Sequence, residues 1–112
     1  MTALLLAAGA DVNARGPDDW TALWGAARYG RSAIVRLLLD RGALVDVRDT
    51  YFRRTPLIEA AQGFNLDSVR ALLEAGADPW ATDRGGRSAL DYARHENQHE
   101  IRAALLRARG ES

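Results

Sequence analysis

The chain repeats itself at a period of about 33 residues, and nothing else in the sequence restricts its fold as strongly. Gly9, Gly42 and Gly76 stand 33 and 34 residues apart, and Thr21, Thr55 and Ser88 stand 34 and 33 apart. Between these marks run three matching stretches, TALWGAARYGRSAIVRLLLDRGALV, TPLIEAAQGFNLDSVRALLEAGADP and SALDYARHENQHEIRAALLRARG. The change of offset places one inserted residue in the segment 43–54. A unit this short and this rich in Ala cannot enclose a core of its own. It buries apolar surface by stacking on copies of itself.

Each unit reads as two short helices. Thr21, Thr55 and Ser88 are N-caps, and Pro56 follows at N1, where its missing N–H costs nothing. Ser88 with Asp91 three residues later forms a capping-box variant. Leu23, Ala26 and Ala27, then Leu57, Ala60 and Ala61, fall on one face of a first helix of about eight residues. A turn is expected at Gly30, at Gly63-Phe64 and at Asn97, since Gly and Asn tolerate left-handed backbone. The second helix carries Ile34, Leu37 and Leu38, then Val69, Leu72 and Leu73, then Ile101, Leu105 and Leu106. It stops at Gly42, Gly76 and Gly110, as helices commonly do. The Asp-, Gly- and Pro-rich residues before the next Thr or Ser then form a turn or hairpin.

The period, the TPLxxAA stretch Thr55–Ala61, the Leu-Leu-Leu-x-x-Gly-Ala pattern and GADVNA at Gly9–Ala14 closely resemble ankyrin repeats over nearly the whole chain. The resemblance implies an all-α solenoid of stacked helix–turn–helix units with hairpin tips, curved so that one face is concave. Residues 1–14 match the second helix and tail of a repeat, 17–46 and 50–80 are complete repeats, and 84–110 is a C-terminal capping repeat, all in one domain. The half-repeat leaves an apolar face uncovered, so the chain is expected to be part of a longer array, or to self-associate through that face. Three departures stand out. Trp24, Ile58 and Asp91 replace the family's usual His, Asp19 replaces the hairpin Gly kept at Gly86, and the inserted residue gives the tip Thr50-Tyr51-Phe52-Arg53-Arg54.

Composition narrows the function. Fifteen basic residues, all Arg, balance ten Asp and five Glu to zero net charge. A protein held on nucleic acid or a membrane by electrostatics normally carries a basic excess. The absence of Cys excludes thiol catalysis and Cys-ligated zinc. The opening MTALLLAAGA lacks the positive flank of a signal peptide, and its letters recur inside the repeats, so an intracellular, cytoplasmic setting is expected. The 21 Ala and the absence of Lys fit a GC-rich coding sequence.

His95-Glu96-Asn97-Gln98-His99 spells the HExxH signature of zinc hydrolases, which works only on one continuous helix. In the repeat register Asn97 falls in the turn, so His95 ends one helix and His99 begins the next. No third His is present. No nucleophile–base set or phosphate loop occurs either, and no enzyme, cofactor or metal is expected.

By resemblance, the unit binds other proteins through its hairpin tips and first helices, which line the concave face. Carried over residue by residue, this assigns Asp18 and Trp20 to the first tip, with Trp24, Arg28 and Tyr29 on the following helix. It assigns Tyr51, Phe52 and Arg54 to the second tip, Glu59 and Gln62 to its helix, and Arg84 and Arg87 to the last tip. Trp, Tyr and Arg are the types enriched where interfaces gain most energy. Trp24 and Trp80 could equally pack between repeats. The expected partner is a protein that the module holds as a rigid scaffold. No small-molecule substrate is expected. A rival reading sends the Arg and aromatic tips to nucleic acid.

Overall fold

The three expected N-caps form, and each opens a helix. In the computed structural model, which describes residues 12–16, 20–94 and 98–110, the Thr21 hydroxyl accepts the Trp24 N–H at 3.2 Å and starts α1 (Ala22–Arg28). The Thr55 hydroxyl accepts the Ile58 N–H at 3.3 Å and starts α3 (Pro56–Gln62), with Pro56 at N1. Ser88 and Asp91 complete a reciprocal capping box at α5 (Ala89–Tyr92). The second helices are α2 (Ser32–Asp40), α4 (Leu66–Glu74) and α6 (His99–Ala108). No strand occurs among the described residues, only a single antiparallel bridge between Thr82 and Ser88. The fold is an all-α helical repeat.

The second helices end as their glycines require. Gly42 sits at φ 88°, a conformation that costs a residue with a Cβ about 1 kcal/mol or more. It turns the chain so that the Ala43 N–H reaches back to the Leu38 carbonyl at 3.0 Å. Gly76 and Ala77 repeat this over Leu72. The turn inside the second hairpin departs from expectation. Gly63 keeps a right-handed φ of −82° as the C-cap of α3, and Phe64 takes the left-handed conformation at φ 62°. Counted from the N-cap, Phe64 stands where Gly30 stands, so register rather than residue type decides which position bends.

Stacking produces two helical layers. The first helices α1, α3 and α5 pack side by side, and so do the second helices α2, α4 and α6. Leu23, Leu57 and Leu90 with Ala26, Ala27, Ala60 and Ala61 meet Val35, Leu38, Val69, Leu72, Ile101 and Leu105 in one continuous core. At about 25 cal/mol per Å² of apolar area, this shared burial is the main stabilising term, and no single hairpin possesses it alone. Residues 1–11, which hold most of the expected half-repeat, lie outside the described residues.

Neighbouring loops are also laced together. The Leu44 N–H donates to the Asn13 side-chain oxygen at 2.7 Å, and the Asp78 N–H donates to Asp46 at 3.1 Å. Asn13 and Asp46 are equivalent positions, and the next equivalent is Trp80. There the ladder changes. Trp80 is 56% exposed, with the Arg109 guanidinium 4.2 Å from its ring centre. Arg109 also donates to the Pro79 carbonyl at 3.2 Å and to the Ser88 hydroxyl at 3.1 Å. Trp80 therefore lies on the surface under a cation.

Candidate protein-interaction surface

The hairpin tips are organised by their aspartates. Asp49 accepts the Phe52 N–H at 2.7 Å and the Arg54 N–H at 2.8 Å, and is itself buried. Asp83 accepts the Gly85 N–H at 2.9 Å and the Arg87 N–H at 3.1 Å. The equivalent bonds span one residue more in the second tip, so the insertion lies between Asp49 and Arg53. Arg53 takes the left-handed position that Gly86 fills in the next tip, at φ 60° against 78°.

Behind the tips, Arg54 joins two repeats. Its guanidinium donates to Glu59 at 3.2 Å and Gln62 at 3.1 Å within its own unit. It also donates to Asp83 at 3.4 Å and to the Tyr92 hydroxyl at 3.1 Å in the next unit. The Phe52 ring lies under it, 4.4 Å from the guanidinium carbon. The Tyr92 hydroxyl donates to Asp83, and the Arg54 carbonyl accepts the Trp24 indole N–H at 2.8 Å. One residue thereby touches all three hairpins.

Burial and charge set the ionisation of this cluster. Burial pushes the Glu59 carboxyl up, and the adjacent Arg54 only partly offsets it. Burial alone would also raise Asp83, but hydrogen bonds from Tyr92, the Arg87 N–H, Arg54 and the Gly85 N–H outweigh it and hold its carboxyl below the usual range. Burial, reinforced by the Asp83 carboxylate, raises the Tyr92 phenol. Desolvation disfavours the charged Arg54, but its bonds to Tyr92 and Glu59 more than compensate, so it stays a cation. The backbone and hydroxyl of Ser88 lower Asp91.

A second cluster crosses the first hairpin. Trp20 and Trp24 rings lie 4.5 Å apart, tilted by 35°. The Arg28 guanidinium stands 5.5 Å from Trp20, 5.6 Å from Trp24 and 6.0 Å from Tyr29. Arg28 also borders a shallow depression with Phe52, Arg54, Glu59, Gln62 and Gly63, so the two clusters share one surface.

Most of the residues expected to bind therefore converge, and two of them are buried. Tyr29 and Tyr51 are 66% and 65% exposed, Arg28, Gln62 and Arg87 are exposed, and Trp20 and Phe52 are half-buried. Trp24 is fully buried because its indole N–H is drawn to the Arg54 carbonyl, and Glu59 is only 3% exposed because it faces Arg54 from behind. Trp24 supports the surface from beneath, and Glu59 contributes to it only as part of the floor of the depression. Asp18 lies outside the described residues, as do His95, Glu96 and Asn97. His99 is the first residue of α6, with Gln98 as its N-cap, so the helix carrying His99 starts there. Among the described residues no group of three His, Cys, Asp or Glu side chains could hold a metal. Asp83 and Tyr92 escaped the sequence reading. The first could have been found from its equivalence with Asp49, and Tyr92 from its equivalence with Glu59.

A family model described as ankyrin repeats (3 copies) matches residues 1–83. This chain belongs to the ankyrin-repeat family. It is similar to the B-cell lymphoma 3 protein homolog of Mus musculus, 35% identical over 91% of this chain and 23% of that protein. An ankyrin repeat and KH domain-containing protein of Caenorhabditis elegans is 46% identical over 88% of this chain and 4% of its own length. A putative ankyrin repeat-containing protein of Treponema pallidum is 37% identical over 84% of this chain and 32% of its own. The chain thus spans under a third of each of these relatives. Ankyrin repeats are protein-interaction modules, and this chain is one. No described helix is long and apolar enough to cross a membrane.

Proposed function

We propose that this module is non-catalytic and holds a partner protein against the face built from its hairpin tips and first helices. The observation that carries the reading is the continuous surface running from Trp20, Arg28 and Tyr29 across the depression to Phe52 and Gln62. Aromatic rings and guanidinium groups here are fixed by one another and by the buried Trp24 and Arg54. A partner would order few side chains on binding, which saves about 0.5–1.5 kcal/mol for each one already in place. The relatives' greater length supports a role as one segment of a longer array. A cytoplasmic scaffold is the setting in which such a surface would act.

Photo-crosslinking tests the face directly. A benzophenone side chain at Gln62, exposed beside the depression, is expected to capture a discrete partner from source-cell lysate. The same group at Arg70, exposed on the second-helix layer, is expected to capture none. The capture from Gln62 should be lost when Trp20→Ala and Tyr29→Ala are added. Equal capture from both positions, or capture from Arg70 alone, overturns the assignment.

A further inference from the structure

The two described tips sort their charges by depth. Asp49 and Asp83 point inward: Asp49 accepts tip N–H groups with both oxygens, and Asp83 with one, its other oxygen accepting from Tyr92 and Arg54. Asp46 and Asp78 sit closer to the helix ends, each accepting a backbone N–H. The guanidinium groups lie outside. Arg84 donates to the Tyr51 and Thr50 carbonyls, both at 3.0 Å, and Arg48 donates to the Thr82 carbonyl at 2.5 Å. Arg53 and Arg87 are exposed beside them. Among the described residues no carboxylate lies within ion-pair distance of these four, whereas Arg54 behind them has two.

A guanidinium anchored on neutral carbonyls keeps its whole charge and still has N–H donors to offer. Its rotamer is already fixed, so it binds an anion at reduced entropic cost. Bidentate geometry favours carboxylate or phosphate. From this arrangement we infer that the tips between Asp49 and Arg87 form a docking site for an acidic segment of the partner protein, whose carboxylates bond to Arg53, Arg84 and Arg87. The inference rests on the protein-binding reading above and adds the partner's chemistry. An acidic peptide fits better than nucleic acid. A zero net charge supplies no long-range attraction for a phosphate backbone.

Fluorescence anisotropy on the whole chain tests it, with a labelled Glu-rich peptide, its Gln isostere and a single-stranded oligonucleotide as probes. The Glu-rich peptide is expected to bind, to weaken as salt rises, and to exceed the Gln isostere by about tenfold or more, as charge-assisted bonds imply. Arg84→Gln should reduce binding by a similar factor. Because that variant also loses two tip bonds, Arg87→Gln, which removes no described side-chain hydrogen bond, serves beside it and should reduce binding as well. Equal binding of the Gln isostere, no binding, indifference to Arg87→Gln, or tighter binding of the oligonucleotide would each overturn the inference. Partner capture at Gln62 that survives Arg84→Gln and Arg87→Gln would overturn it while leaving the protein-binding reading intact. Failure of capture at Gln62 removes both.

Discussion

At the scale of single residues, two side chains among the described residues sit in backbone conformations that favour glycine, Phe64 and Arg53. Each costs about 1–2 kcal/mol relative to glycine at the same φ. Arg53 is exposed, and the bond its unit makes through position 53 uses the backbone carbonyl, which any residue supplies. Arg53→Gly is therefore expected to raise stability by about 1 kcal/mol, visible as a higher midpoint of thermal unfolding. The same substitution removes one of the outward guanidinium groups, so it should weaken the Glu-rich peptide while strengthening the fold. A fall in the midpoint would mean that the Arg53 side chain holds the tip together. The opposed signs explain how a strained arginine can persist at a binding tip, since function and stability draw on different atoms of the residue.

At the scale of the helices, α4 departs from its neighbours at a single core position. Ser68 stands where Ile34 and Ile101 stand in the other second helices. It is fully buried, and its hydroxyl has no hydrogen-bond partner among the described residues. An unsatisfied buried hydroxyl costs about 1–3 kcal/mol, and Ala is the better helix former. Ser68→Ala is expected to stabilise the protein by about 1 kcal/mol in urea unfolding; destabilisation would show that the hydroxyl is satisfied in solution. The same helices show what a sequence can reveal. Caps and C-terminal glycines were legible because they are local: Thr55 followed by Pro56, or Gly76 after a helix, means the same thing wherever it stands. The core was legible because the period multiplies one pattern three times. The site was legible only in part. Trp24 and Glu59 have the types and positions of contact residues, and only the placement of Arg54 between units shows that both are buried. Arg84 and Tyr92 act across a repeat boundary, on Tyr51 and Arg54, and a pairing between units leaves no mark on the local pattern of either.

At the scale of the whole molecule, stability is the sum of units and the interfaces between them, so losing one interface can unfold one end and spare the other. Arg54 is the strongest candidate for such a joint. Its guanidinium reaches Asp83 and Tyr92 in the last hairpin, whereas its tie to the first hairpin runs through the backbone carbonyl that receives Trp24. Arg54→Met keeps that carbonyl and most of the side-chain volume, but strands Glu59 and Asp83 without their cation. Breaking a buried pair from one side costs about 3–5 kcal/mol, and the slight exposure of Arg54 puts the expected loss near about 3. The loss should depend on pH. Burial already raises Glu59, and without Arg54 both carboxyls titrate higher in the folded protein. Below the ordinary carboxylate range of about 4 Glu59 is protonated and needs no cation; as pH rises from there through its raised value it must stay protonated at a cost or ionise unpaired. The deficit of Arg54→Met relative to wild type is thus expected to be small in acid and to grow towards neutrality. Hydrogen exchange at neutral pH should then show α5 and α6 losing protection while α1 and α2 keep theirs. Uniform loss across all six helices would mean that the chain unfolds as one unit, and a deficit independent of pH would mean that Arg54 joins the repeats by packing on Phe52 and Tyr92 more than by charge.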